Sequence, residues 1–431
     1  MVRNAWNSRS RLTVILLCLT LLAAMMPLHV AGAAGQEIAV TFDGKKVAFG
    51  VQPQTIGGRT MVPYRALAEQ IGADVKWDDK SDTITMSHNK RTVVLTIGSK
   101  QAKLGGKTLQ LDAAPVIKNG TTLVPLRFIG ESLGIWVSWN KTSSTAALST
   151  KKTIQHAMGQ TTLTKVPERI VVLFNGMVDI SVLLGVKPVG AVESYVEQPF
   201  YEYLRSGMSG VKVLGDETQP NMEAIVALKP DLIIGSKLRH EKIHGQLTAI
   251  APTLMSEDVF SWQENLTMAA SALNREEIAS TFIADWNKRV ADFKRQIGSK
   301  AKNTEVSVIR FNPDGSARAY VTGFAYNILQ ELGFSVPKAQ LDTGKEIVTV
   351  TSKEQVGLLD GDIIFDFTTD WNGDGGVYKF QKEWIDSPLW QNLQAVKNKK
   401  YYKVNVVTWN MSGGPMAAKM MLDDLYFYFD L

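Results

Sequence analysis

The stretch PNMEAIVALKPDLIIGSKLR, residues 220–239, decides how the rest of the chain is read. It parses as a helical turn carrying Glu223, an apolar helix ended by Pro230, a short buried strand from Asp231 to Gly235, and a polar, basic loop. Open α/β sheets hold ligands in the loops that leave the carboxyl ends of their strands. This loop carries Lys237, Arg239 and His240. A weaker echo, TSKEQVGLLDGDIIFDFTTDW at residues 351–371, sets Glu354 where Glu223 stands and Asp362 where Asp231 stands, 131 positions on. Two such units predict two similar lobes facing one ligand.

The sequence around them supports this division. In KVPERIVVLFNGMVDISVLLGVKPVGAV, residues 165–192, a strand from Arg169 to Phe174, a helix from Met177 to Leu184 and a strand from Pro188 to Val192 follow one another with a short crossover, which predicts a parallel sheet. The Asn175-Gly176 loop lacks the glycines of a phosphate-binding fingerprint. Ile250 to Met255 adds another strand. From Trp262 to Gly298 apolar residues keep helical spacing, with Asn274-Arg275 as the one candidate break. A helix of about 25 residues would span nearly 40 Å and bridge two lobes. Beyond it come a strand at Glu305 to Phe311, a helix at Phe324 to Gly333, strands at Asp362 to Phe367 and Tyr401 to Val406, and a closing helix from Pro415 to Phe429.

The front of the chain is a repeat. GRTMVPYRALAEQIGADVKWDDKSDTITM from Gly58 matches GTTLVPLRFIGESLGIWVSWNKTSSTAAL from Gly120 at an offset of 62, pairing Pro63 with Pro125, Arg65 with Arg127, Gly72 with Gly134 and Trp77 with Trp139. Each copy reads as a small β-rich unit packing one helix, and Trp77 and Trp139 are expected in its core, fixing the helix on the sheet. The fold class is therefore α/β: two α/β lobes joined by a long bridging helix, preceded by a small α+β tandem-repeat domain. The expected boundaries are residues 37–149 for the repeats, 150–162 for a polar linker, 163–261 and 304–431 for the lobes, and 262–299 for the bridging helix.

Residues 1–33 read as a secretory signal peptide: Arg3, Arg9 and Arg11 precede an apolar run from Leu12 to Met26, and Ala31-Gly32-Ala33 offers a cleavage site. The only cysteine, Cys18, lies in that run behind Leu17, so neither disulfides nor lipidation are expected. The mature chain would be exported, to the cell surface or beyond. Residues 34–152 hold 16 basic and 9 acidic residues, residues 153–431 hold 28 and 33, so a front near +7 precedes a body near −5. A basic front suits an anionic wall polymer or membrane surface, and equally a solvated face.

The Val-Pro-x-Arg, Gly and Trp pattern of the repeats resembles the domain named after the amino-terminal region of copper amine oxidases. No oxidase is implied, because only that appended domain matches and His88 is its single histidine. The segments PERIVVL, GVKPVGAV, PNMEAIVALKPDLIIGS, EKIHGQLTAIAPT, SPLWQNLQAVKNKKYYKVN and WNMSGGPMAAKMMLDDL are similar to those of iron(III)-siderophore binding proteins of ABC importers. That resemblance implies capture of a ferric complex between two rigidly linked lobes, delivery to a membrane permease, and no chemistry on the ligand. It further implies that Glu223 and Glu354, one per lobe, meet arginines of the permease; a carboxylate favouring a helix amino terminus explains the same residues.

A ferric chelate has its iron already coordinated by oxygen, so a capturing protein needs cations, donors and flat aromatic surface, with no cofactor and no metal ligands of its own. The expected ligand-binding residues are Arg239 and Lys237 from the first lobe, Arg310, Trp371 and Trp409 from the second, and Tyr195 after the second strand; their alternatives are a surface ion pair with Glu241 for Arg239 and core positions for the tryptophans. Haem or cobalamin capture is the related alternative, with Met177 and His240 as candidate axial ligands. A free-metal site is disfavoured by scattered histidines, and an enzyme by the lack of a thiol, nucleophile elbow or metal motif. Adhesion through the basic repeats is the rival of a different class. No nucleic-acid partner is expected, and the chain is expected to be a monomer.

Overall fold

The computed structural model describes residues 37–371 and 373–431; the signal-peptide reading and Cys18 lie outside them. The repeats form three sheets. In the central one, Thr121–Pro125 pairs antiparallel with Arg59–Pro63, placing Val62 opposite Val124, so the two Val-Pro strands join the repeats back to back. Each proline leads straight into a helix, Tyr64–Ile71 or Leu126–Ser132, since its fixed φ suits the helix entry and its missing N–H is not needed there. Gly72 ends the first helix at φ 68°, a left-handed turn that favours glycine. One apolar cluster containing Val62, Leu67, Val124, Ile129 and Leu148 closes the module.

Most of residues 150–162, expected as a linker, instead belongs to a β-hairpin of Lys152–His156 and Gly159–Leu163. Ile154 and Leu163 are buried, and Ala157 N–H donates to Met255 O at 2.8 Å, so the hairpin covers the edge of the neighbouring sheet. That sheet is fully parallel, in the order Lys212–Val213, Gly190–Ala191, Ile170–Val172, Leu232–Ser236, Thr253–Ser256. In the second lobe Val306–Phe311 runs parallel to Ile363–Asp366 and antiparallel to Ala317–Tyr320, with Ile347–Val350 and Tyr401–Lys403 at the edges.

The bridging element is two helices, Trp262–Leu273 and Glu276–Ile297, broken at Asn274, whose φ of 57° ends the first. At 1.5 Å per residue the second spans roughly 33 Å. Its face of Trp286, Val290, Phe293 and Ile297 is buried, and Phe293 meets Tyr426, Phe429 and Phe334 edge-on. A single apolar cluster runs through Val172 and Phe174 of the first lobe, Trp286, and Phe365 and Leu422 of the second. The lobes are also pinned by Asp179, fully buried, which accepts from Met416 N–H at 2.9 Å and Ala417 N–H at 3.1 Å in the first turn of the closing helix Pro415–Tyr428. A carboxylate at a helix amino terminus satisfies otherwise orphaned donors.

The repeat module is docked on the lobes. Trp136, 2% exposed, donates Nε1–H to Ala272 O, and Asn274 exchanges hydrogen bonds with Ile135 O and Val137 N–H. Arg59 and Arg127 grip the two oxygens of Glu277, and Lys152 reaches Glu276. Arg91 Nε donates to Glu168 at 2.9 Å, just ahead of Ile170–Val172. The module thus stands at the amino ends of the first lobe's strands, away from the carboxyl ends that form the cleft.

Candidate ligand-binding cleft

Strand carboxyl ends of both lobes converge on a cavity of about 520 Å³. From the first lobe come Tyr195, Glu217 and Arg239, following three parallel strands; from the second come Arg310 and Asn312 at the end of Val306–Phe311, and Trp371 after Ile363–Asp366. Tyr195 and Trp371 meet edge to face across the cleft, centroids 6.4 Å apart. The Arg310 guanidinium lies 5.5 Å from the centre of the Trp371 ring and 6.0 Å from that of Tyr320. Of the expected residues, the structure therefore brings Tyr195, Arg239, Arg310 and Trp371 together.

It does not bring Trp409 or Lys237. Trp409 is fully buried, with Nε1 donating to Asp424 at 2.8 Å and its ring packed on Phe365 at 4.5 Å; a π-helical turn over Val407–Met411 turns the indole inward and leaves its neighbours Asn410 and Met411 on the cavity wall. Lys237 sits in a single helical turn, Lys237–His240, where a basic loop was expected, and pairs with Glu257 at 2.9 Å, outside the cavity lining. His240 is buried with both ring nitrogens engaged, Nδ1 accepting from Ser236 N–H at 3.1 Å and Nε2 donating to Glu217 O at 2.8 Å. Burial holds its pKa below the usual histidine value. Met177 is fully buried and absent from the lining.

Glu217 is the residue that sequence reading missed. Only 3% of its side chain is exposed; Oε1 accepts from Arg239 Nε at 3.0 Å, and Oε2 accepts from both Asn175 N–H and Nδ2–H at 3.0 Å. Arg239 is thereby held over the cavity rather than paired with Glu241. Burial, and then the Glu217 carboxylate, push the Tyr195 phenol well up, so it stays a hydroxyl donor.

Arg310 differs from Arg239. Among the described residues no carboxylate lies at ion-pair distance from it; Nε donates to the Asn312 side-chain oxygen at 3.1 Å, and burial lowers its pKa. Arg318 stands directly opposite on the neighbouring antiparallel strand, so both guanidinium groups share one face of the sheet, and the buried Nε of Arg318 has no hydrogen-bond partner among the described residues. The Asp314 carboxylate acts on both guanidinium groups from beyond ion-pair distance, so two adjacent cations with no carboxylate in direct contact among the described residues suit an anion. Among the described residues no group of three or more His, Cys, Asp or Glu side chains is arranged to hold a metal ion.

Residues 170–405 match the Periplasmic binding protein family. The chain belongs to that family. Residues 41–176 also match the Copper amine oxidase N-terminal domain, which covers the repeat module. This binding protein is 42% identical over 299 residues to the probable siderophore-binding lipoprotein YfiY of Bacillus subtilis, covering 68% of this chain and 92% of that one. It is 36% identical to the achromobactin-binding periplasmic protein of Dickeya dadantii over 60% of this chain and 85% of that one. Among solved structures it resembles Staphylococcus aureus SirA complexed with staphyloferrin B, with 39% identity, a TM-score of 0.61, and coverage of 65% of this chain and 98% of that one. Among the described residues no helix is long and apolar enough to cross a membrane.

Proposed function

We propose that this binding protein captures a ferric siderophore with carboxylate or hydroxamate arms in the interlobe cleft and delivers it to the permease of an ABC importer. The observation that carries the reading is a pair of guanidinium groups from opposite lobes, Arg239 and Arg310, lining one cavity together with Trp371 and Tyr195. Planar guanidinium forks meet chelate oxygens two at a time, and the two aromatic rings offer flat surface to the organic arms. Relatives named for siderophore and Fe(3+)-citrate binding support this ligand class.

Delivery falls to Glu223 and Glu354. Both are exposed in first helical turns, Glu223 behind the Asn221 cap and Glu354 accepting from Ser352 Oγ, whose hydrogen bond lowers its pKa. They are the proposed contacts for permease arginines. The chain acts exported and as a monomer, with the basic repeat module resting on an anionic wall polymer or membrane surface. The test of the cleft is affinity, read by quenching of tryptophan fluorescence with ferric citrate and ferric hydroxamates. Arg239→Ala and Arg310→Ala should each weaken binding about tenfold or more; unchanged affinity in both would sink the proposed cleft.

A further inference from the structure

Trp77 and Trp139 hold matching positions in the two repeats but have different surroundings. Trp77 packs against the module's core and donates its indole N–H to Asp79. Trp139 was expected in that core as well; instead it is 40% exposed and stands outside the cluster. Its strand, Trp136–Asn140, has turned the preceding Trp136 inward to fill the junction with the lobes. The Trp139 indole is left on the wall of a second cavity, of about 400 Å³, between the repeat module and the first turn of the long helix.

The rest of that wall mixes apolar residues, among them Leu126, Phe128 and Val137, with polar ones whose charges nearly balance. Arg59 pairs with Asp112 at 2.8 Å and with Glu277 at 2.6 Å, and Arg127 takes the other Glu277 oxygen. Burial raises the pKa of the Glu131 carboxyl to about 7, so it carries only part of a charge near neutrality. Paired charges of this kind offer no net attraction to an ion. They do offer fixed donors and acceptors side by side, which suits a molecule whose hydroxyl groups each donate and accept. An exposed indole adds an apolar plate whose electron-rich face attracts the C–H face of a sugar ring. Arg59, Asp112, Glu131 and Glu277 also border a neighbouring cavity of about 760 Å³ that continues along the helix past Ile278 and Phe282, so the crevice is long enough for linked rings.

We propose that this crevice binds an uncharged oligosaccharide, stacked on Trp139 and hydrogen-bonded by Arg59, Asp112, Arg127 and Glu277. Because Glu277 belongs to the long helix, an occupied crevice ties the repeat module to the lobes. The site lies apart from the interlobe cleft and does not depend on what that cleft holds.

The test uses the full chain with three probes: cellotetraose, the tetramer of N-acetylglucosamine, and tetragalacturonate as a charged counterpart. Soluble tetramers stand for a free sugar, and co-sedimentation with insoluble chitin stands for a polymer-bound one; saturable binding of a neutral probe in either arm supports the site. Half-saturation near 1 mM is expected for an exposed groove of this kind, weakened about tenfold by Trp139→Ala and little changed by Trp77→Phe. Gln110→Ala, on the same wall, should weaken it too, with circular dichroism confirming the fold of each variant. The proposal is overturned if no neutral probe binds saturably below about 10 mM, if Trp139→Ala binds as the parent does, or if only tetragalacturonate binds.

Discussion

Replacing Glu217 with alanine should unsettle both the first lobe and the cleft. The carboxylate is 3% exposed and accepts three hydrogen bonds, two from Asn175, itself 2% exposed, and one from Arg239, whose side chain is 32% exposed. Hydrogen bonds to a charged group contribute about 1.5–3 kcal/mol each, and the lower end applies to the two Asn175 donors because they come from one residue. The Arg239 share is screened by solvent and is held to ~1 kcal/mol at most. Glu217→Ala should therefore lower the unfolding free energy by about 3–4 kcal/mol. Glu217→Gln, which keeps the shape and one acceptor, should lose roughly half of that. Urea denaturation followed by circular dichroism reads the stability, and fluorescence quenching by ferric citrate reads the affinity, which should fall about tenfold as Arg239 is released. A urea midpoint unchanged in Glu217→Ala refutes the buried network. Strict additivity of Glu217→Ala and Arg239→Ala in affinity refutes the claim that one residue positions the other.

Three further outcomes follow from the junction and the surface. A Cβ at Gly414 would lie 2.3 Å from both Cβ and Cγ of Asp179, so Gly414→Ala should destabilise the chain by about 1–3 kcal/mol; a wild-type thermal midpoint would show that the junction yields freely. Burial raises the pKa of Asp179 from 3.8 to about 6 against hydrogen bonds from Tyr203, Met416, Ala417 and Ser412, so the folded state holds the proton more tightly than the unfolded chain. The stability due to this group is then full below about pH 4 and falls as pH rises to about 6, by on the order of 3 kcal/mol; Asp179→Asn should remove that slope, and an identical pH profile would count against the assignment. Glu223→Ala should leave ligand affinity intact and abolish uptake by cells that depend on this protein for iron, whereas normal uptake would remove Glu223 from the docking surface.

The lobes, the repeat and most of the cleft were legible because their signals are local. Strand-to-loop transitions after Ile170–Val172 and Leu232–Ser236, and again in the second lobe, are written in short apolar runs ended by polar residues, and such loops sit at strand carboxyl ends in any open sheet. Glu217 was not legible: it lies in the irregular loop GDETQP, where no periodicity marks it, and its partners Asn175 and Arg239 are 42 and 22 residues away. Trp409 was misplaced because an aromatic in a strand-end segment reads alike whether it faces a ligand or the core, and only the π-helical turn with Asp424 decides between them. The docking of the repeats rests on Arg59 and Arg127 meeting Glu277, 218 and 150 residues away, a tertiary pairing with no sequence signature. For the same reason a hairpin that covers a sheet edge looked like a polar linker.

The central claim is capture of a ferric siderophore by the interlobe cleft. Its most direct measurement is a titration of the purified full chain with ferric citrate, ferric hydroxamates, ferric catecholates and haemin, following tryptophan fluorescence and visible absorbance together. Saturable quenching by at least one ferric siderophore, lost in Arg310→Ala and without a Soret band on adding haemin, is the predicted result. A Soret band with haemin and no quenching by any ferric siderophore would contradict the account.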